Sequence, residues 1–221
     1  MKQRPCAILF DLDGTLIDSA PDLAHAANSL RASHGLTALD LDQLRPMVGS
    51  GARGMIGVAF GLRPGDVGYE ALRKDFLQRY IACMLQRTRV FDTVKPVLDV
   101  LDKSGLPWGI VTNKAMSMAQ PIVRSLGLLA RAAVVIGGDS TAHTKPHPMP
   151  LLEAARLMDI EASRCIYVGD DARDMQAAQA AGMPGLAAGW GYLGQGEPIH
   201  AWGAEVVLER PESLLNWLQL A

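Results

Sequence analysis

The chain has 221 residues, 49% hydrophobic and 20% charged, with a net charge of −2. That length suits one core domain with a smaller insert. The near-neutral balance argues against a nucleic-acid partner, and no apolar run approaches the ~20 residues of a membrane span, so no membrane partner is expected. Three widely spaced cysteines, Cys6, Cys83 and Cys165, form no CxxC pair and read as reduced thiols of a cytoplasmic protein.

Lys2 and Arg4 precede an apolar run, 6–10, that is too short for a secretory signal. Bounded by Asp11, it predicts a buried parallel strand. From about 20 to 91 the pattern turns helical, most clearly over 22–33 and 70–86, with no convincing strand. Ser19 followed by Asp22 resembles a helix start. Strand-like runs then recur at 108–111, 133–136, 165–168, 184–188 and 205–208, alternating with amphipathic stretches at 94–104, 115–126, 148–158 and 173–181. The alternation predicts an α/β fold: a Rossmann-like parallel sheet with helices on both faces and ligands at the C-terminal strand ends. The expected division is a core of residues 1–18 and 92–221, with a helical cap domain, 19–91, inserted after the first strand as a lid.

Four polar clusters fall at those strand ends. In Asp11-Leu12-Asp13-Gly14-Thr15, two carboxylates two residues apart face one site. Their repulsion would be relieved if one were protonated or if a hard cation lay between them, for which Mg²⁺ is the first candidate. Gly14 permits a sharp turn, and Thr15 can offer its hydroxyl and N–H to an anion. The competing reading is a polar turn that caps a strand. In Gly169-Asp170-Asp171-Ala172-Arg173-Asp174, Asp170 can reach the same cation, Asp174 can hold metal-bound water, and Asp171 reads as a helix cap. In Thr112-Asn113-Lys114, a hydroxyl and an amide can donate to phosphate oxygens, unless they only cap a helix. In Lys145-Pro146-His147-Pro148, prolines fix one lysine where it can neutralise phosphate charge. His143 and His147 have no third His or Cys at ligand spacing and are not expected to bind metal. Each cluster alone fits a plain cap or turn; their joint placement is what points to one site.

These motifs carry a family resemblance. Phe10 to Ser19, Val111-Thr112-Asn113-Lys114, Lys145-Pro146-His147-Pro148 and Val168 to Asp174 resemble haloacid dehalogenase-type phosphatases, and the likeness runs along the whole chain. The resemblance implies Asp11 as nucleophile, Asp13 as general acid and base, Thr112 as phosphate binder and Lys145 as charge stabiliser. It further implies Mg²⁺ held by Asp11, the backbone carbonyl of Asp13 and Asp170, with Asp174 in support. Asp18-Ser19-Ala20-Pro21-Asp22 and Val48 to Arg53 resemble phosphoglycolate phosphatases. Gly51 to Met55, Tyr69 to Arg73 and Trp108 to Lys114 are similar to N-acetylmuramic acid 6-phosphate phosphatases.

The expected activity is Mg²⁺-dependent hydrolysis of a small phosphate monoester, phosphoglycolate first and N-acetylmuramic acid 6-phosphate as the alternative, by a monomer or homodimer. Both substrates carry a carboxylate, which Arg53 on the cap could pair with. Met47, Met55, Phe60, Phe76 and Tyr80 read as cap core. A sugar-phosphate mutase with the same core is the competing enzyme class. A catalytically dead binder is disfavoured, because a binder needs no proton donor beside its nucleophile.

Overall fold

The computed structural model describes residues 4–220; Lys2 and the outer limits of the expected core, 1 and 221, lie outside the described residues. The first apolar run forms strand β1 (Ala7–Phe10), wholly buried. Its side chains alternate between two faces. Ile8 and Phe10 join one core cluster with Ile110, Ile166 and Val168, while Ala7 and Leu9 join another with Val111, Cys165 and Tyr167. A strand covered on both faces has no polar face, so its sequence reads as continuously apolar.

The chain then makes a two-stranded antiparallel ribbon of β2 (Ile17–Asp18) and β3 (Arg89–Val90), with Ile17 opposite Val90. β3 corrects the expectation of no strand between 20 and 91; two residues carry no periodicity, and only the partner strand defines them. Between the two strands lie α1 (Ala20–Ser33), α2 (Leu41–Leu44), a 3₁₀ segment (Arg45–Ser50), α3 (Gly51–Phe60) and α4 (Tyr69–Cys83). α1 packs against α3 and α4, where Leu23, Leu30, Met55, Ile56 and Phe76 share one core. The helix expected over 70–86 stops at Cys83, where the Gln86 N–H turns back to the Cys83 carbonyl at 2.9 Å.

Ser19 precedes α1 without capping it through its side chain; its hydroxyl donates to Asp13 Oδ1 instead. Asp22 is fully buried. Its carboxylate accepts the Arg87 N–H at 3.0 Å, and the Thr88 N–H and hydroxyl at 2.9 and 2.8 Å. The first turn of α1 is thereby pinned to the segment leading into β3.

The remaining chain alternates as the periodicity predicts: α5 (Lys95–Ser104), β4 (Trp108–Val111), α6 (Met116–Ser125), β5 (Val135–Ile136), α7 (Met149–Leu157), β6 (Cys165–Gly169), α8 (Ala172–Ala180), β7 (Gly185–Ala188) and β8 (Val206–Leu208). An unanticipated α9 (Ser213–Leu218) follows. Six strands pair in parallel in the order β5-β4-β1-β6-β7-β8. Phe10 lies opposite Ile110 on one side and Val168 on the other. The connection from β1 runs to β4 on one side and later to β6 on the other, which opens a crevice beyond the carboxyl end of β1. Asp11, Thr112 and Asp170, each just after or soon after one of these strands, therefore come together. No helix among the described residues is long and apolar enough to cross a membrane.

Candidate active site

Asp11 continues the alternation of Ala7 and Leu9, and its N–H still bonds the Val168 carbonyl at 2.9 Å. Its Oδ1 accepts a hydrogen bond from Lys145 Nζ at 2.8 Å, and Oδ2 receives none among the described residues. Lys145 is only 4% exposed. Its ammonium also meets Asp174 Oδ1 at 2.7 Å, the Tyr167 hydroxyl at 2.6 Å and the Val111 carbonyl at 3.0 Å. Asn113, expected to donate to phosphate, lines the cavity and also has a partner within the protein. It is clamped to the backbone of Lys145, donating to its carbonyl and accepting its N–H, both at 2.9 Å.

Asp170 is buried beside Asp11. Its Oδ1 accepts the Thr15 hydroxyl and its Oδ2 the Tyr192 N–H, both at 2.8 Å. The Thr15 hydroxyl is thus given to Asp170 rather than to an anion, which corrects that part of its expected role. Gly14 has φ +90°, and a β-carbon there would lie 2.2 Å from Asp170 Oδ2. Only glycine allows so close an approach. Asp171 caps α8, accepting the Arg173 N–H at 2.9 Å, while Asp174 Oδ2 accepts the Asp171 N–H at 3.1 Å. Asp174 therefore braces the helix start with one oxygen and Lys145 with the other.

Asp13 takes the Ser19 hydroxyl on Oδ1 and Lys114 Nζ on Oδ2, the latter at 3.2 Å. Lys114 reaches on to the Tyr80 hydroxyl of α4 at 2.9 Å. The sequence reading assigned no role to Lys114, Tyr167, Tyr192 or Arg73. Lys114 carried a signal, its place in the Thr112-Asn113-Lys114 motif. The two tyrosines carried none, since their partners lie far along the chain.

The electrostatics are those of crowded buried carboxylates. Burial raises Asp11 from 3.8 to about 7, with Asp174 and Asp13 adding to the rise and Lys145 opposing it. Asp170 is raised well above its ordinary value by burial, then by Asp11 and Asp174, against the Tyr192 and Thr15 hydrogen bonds. Burial alone would lower Lys145, but Asp11 and Asp174 outweigh it and leave it raised. Ligand oxygens of Asp11, Asp170 and Asp174 lie within 4.8 Å of one another. Among the described residues only neutral donors serve Asp170, so a hard cation fits this set of oxygens and would relieve the repulsion.

These groups open on a cavity of about 460 Å³. Its floor carries Asp11, Asp13, Thr112, Lys114, Lys145, Asp170 and Asp174; its roof includes Val48, Ser50, Arg73, Phe76, Leu77, Tyr80 and Ile81. Thr112 Oγ1 accepts the Lys114 N–H at 3.2 Å, and its own hydroxyl hydrogen has no protein acceptor among the described residues. Arg53 is not brought to the site: it is exposed on α3 and does not line the cavity. One residue further on from Ala52, which does line the cavity, the helix has turned by about 100°, and Arg53 takes another side. Met55 is buried core as expected, whereas Phe76 and Tyr80 are both core and cavity wall.

Residues 8–188 match the family model for haloacid dehalogenase-like hydrolases. The chain is similar to a phosphoglycolate phosphatase of Xanthomonas campestris pv. campestris, 49% identical over 211 residues and covering 95% of each chain. It is also similar to an N-acetylmuramic acid 6-phosphate phosphatase of Pseudomonas aeruginosa, 39% identical over 221 residues, covering 100% of this chain and 97% of that one. The crystal structure of a predicted phosphoglycolate phosphatase from Haemophilus somnus aligns with a TM-score of 0.85 at 26% identity, covering 97% of this chain and 98% of that one.

Proposed function

Since this chain belongs to the haloacid dehalogenase-like hydrolase family, we propose that it is a Mg²⁺-dependent phosphatase that hydrolyses a small, carboxylate-bearing phosphate monoester through a phosphorylated Asp11. The observation that carries this reading is the pairing at the cavity floor. Asp11 is bonded by its Oδ1 to Lys145 at 2.8 Å and has a second oxygen with no partner among the described residues, with ligand oxygens of Asp170 and Asp174 within 4.8 Å.

Asp11 attacks phosphorus in line with the departing oxygen, and the P–O bond to the alcohol breaks. Asp13 gives that oxygen a proton, then takes one from the water that opens the aspartyl-phosphate. Lys145 and the free hydroxyl hydrogen of Thr112 steady the phosphate oxygens. The carboxylates of Asp11 and Asp170 and the backbone carbonyl of Asp13 would hold Mg²⁺, with Asp174 in support; when bound, the ion would supply positive charge that offsets the phosphate's. Residues 19–91 serve as a cap domain over a core of 1–18 and 92–221, and exclude water from the charged floor.

Phosphoglycolate is the first candidate, supported by the relative that is 49% identical. A specific observation favours a second reading, N-acetylmuramic acid 6-phosphate. The cavity, at about 460 Å³, exceeds the need of a two-carbon acid, and Phe76, Leu77 and Ile81 wall it with apolar surface. A phosphate-release screen with Mg²⁺ over both compounds, hexose phosphates and pyrophosphate decides between them. If a sugar phosphate isomerised without phosphate release, the mutase class would replace this reading.

A further inference from the structure

We infer that Arg73 of α4 is the specificity-determining residue that receives the substrate's carboxylate. This rests on the phosphatase reading above and names the recognition made at the same site. Four cations line the cavity among the described residues: Arg73, Lys114, Lys145 and Arg173. Lys145 is tied to Asp11 and Asp174 at 2.8 and 2.7 Å. Lys114 is tied to Asp13 at 3.2 Å and to the Tyr80 hydroxyl at 2.9 Å. Arg173 is tied to Asp171 at 2.8 Å and to the Gly49 carbonyl at 2.6 Å. Arg73 has only a 3.5 Å contact with Glu70, whose side chain is 75% exposed. A bond that long to a solvated carboxylate holds little. Among the described residues its planar fork is therefore the one cationic group on the cavity wall without a close partner, and it suits a carboxylate.

Its position fits as well. Tyr80, which meets Lys114 above Asp13, lies seven residues further along α4, about 10 Å of helix rise. The backbone of Arg73 thus lies about two helical turns from Tyr80 along the cavity roof, with Phe76 and Leu77 between. One end takes the phosphate and the other the substrate's second anion.

Steady-state kinetics with Mg²⁺ test this on phosphoglycolate, N-acetylmuramic acid 6-phosphate and p-nitrophenyl phosphate, which has no carboxylate. Arg73→Ala should raise KM for whichever carboxylate substrate the wild type hydrolyses by about tenfold or more, the loss of one charge-assisted contact, with kcat little changed. Turnover of p-nitrophenyl phosphate should stay within about twofold, Arg73→Lys should recover part of the loss, and Arg53→Ala should behave as wild type. Equal losses on all substrates, or no loss on the carboxylate substrate, overturn the role of Arg73 while the phosphatase reading stands. Should the folded wild type release no phosphate from any of the three, the reading falls and takes this inference with it.

Discussion

Asn113 and Lys145 exchange two hydrogen bonds, amide to carbonyl and N–H to amide oxygen, each 2.9 Å long. The end of β4 thereby sets the backbone of a lysine 32 residues away, and with it the distance from the ammonium to Asp11. Asn113→Ala leaves two backbone groups unpaired and should cost about 1–3 kcal/mol of stability. It should lower kcat about ten- to a hundredfold, with a smaller change in KM, because the lysine loses its alignment. Urea unfolding and steady-state kinetics measure both; a kcat within twofold of wild type would show that Lys145 is placed without this clamp.

Asp11→Asn removes the attacking carboxylate while keeping its shape. Lys145 retains Asp174, Tyr167 and the Val111 carbonyl, so the fold should survive. Phosphate release and labelling of the protein by a radiolabelled phosphate ester should both vanish. Without metal, near pH 8, the variant should melt at or above the wild-type temperature, since a carboxylate disfavoured by burial is gone. Full turnover in a folded Asp11→Asn protein would reject the covalent scheme.

The raised carboxyls make stability depend on pH and on metal together. Asp11 shifts from 3.8 to about 7, and Asp170 is raised in the same sense. Between those values the folded, metal-free protein holds a proton that the unfolded chain has released. The contribution of Asp11 is therefore fully present below about pH 4 and is lost as pH rises through about 7. Mg²⁺ competes with that proton. Adding Mg²⁺ in place of a chelator should raise Tm more at about pH 8 than at about pH 5.5. A larger shift at the acid pH, read by scanning calorimetry, contradicts the assignment of these carboxyls as ligands.

Gly14→Ala tests the approach of the first motif to the third carboxylate. The new methyl would lie 2.2 Å from Asp170 Oδ2 and 2.7 Å from the Tyr192 ring, at a backbone φ of +90°. The expected cost is about 1–3 kcal/mol of stability. With Asp170 displaced, the Mg²⁺ concentration for half-maximal activity should rise about tenfold or more. Unchanged Mg²⁺ dependence, measured by titration, would mean that Asp170 does not serve the metal.

Much of this arrangement was legible in local patterns. The run before Asp11 is apolar at every position because β1 is covered on both faces, and the same holds for β4 and β6. The motifs after these strands could be expected to meet, because parallel strands present their carboxyl ends on one edge. Asp171 was readable as a cap, since a cap acts within its own turn. The ribbon strand β3 was not readable, because two residues hold no pattern without Ile17 and Asp18 opposite.

By itself, then, the sequence determined the strand–helix alternation, the placement of acidic and basic groups at strand ends and the kind of chemistry they suit. Tertiary structure alone decided the partners: the Thr15 hydroxyl on Asp170, Asn113 on the Lys145 backbone, Ser19 on Asp13, and Arg73 rather than Arg53 on the cavity wall. Periodicity and caps arise within a few residues of chain, whereas the acceptor a buried donor finds is set by whichever distant element packs against it.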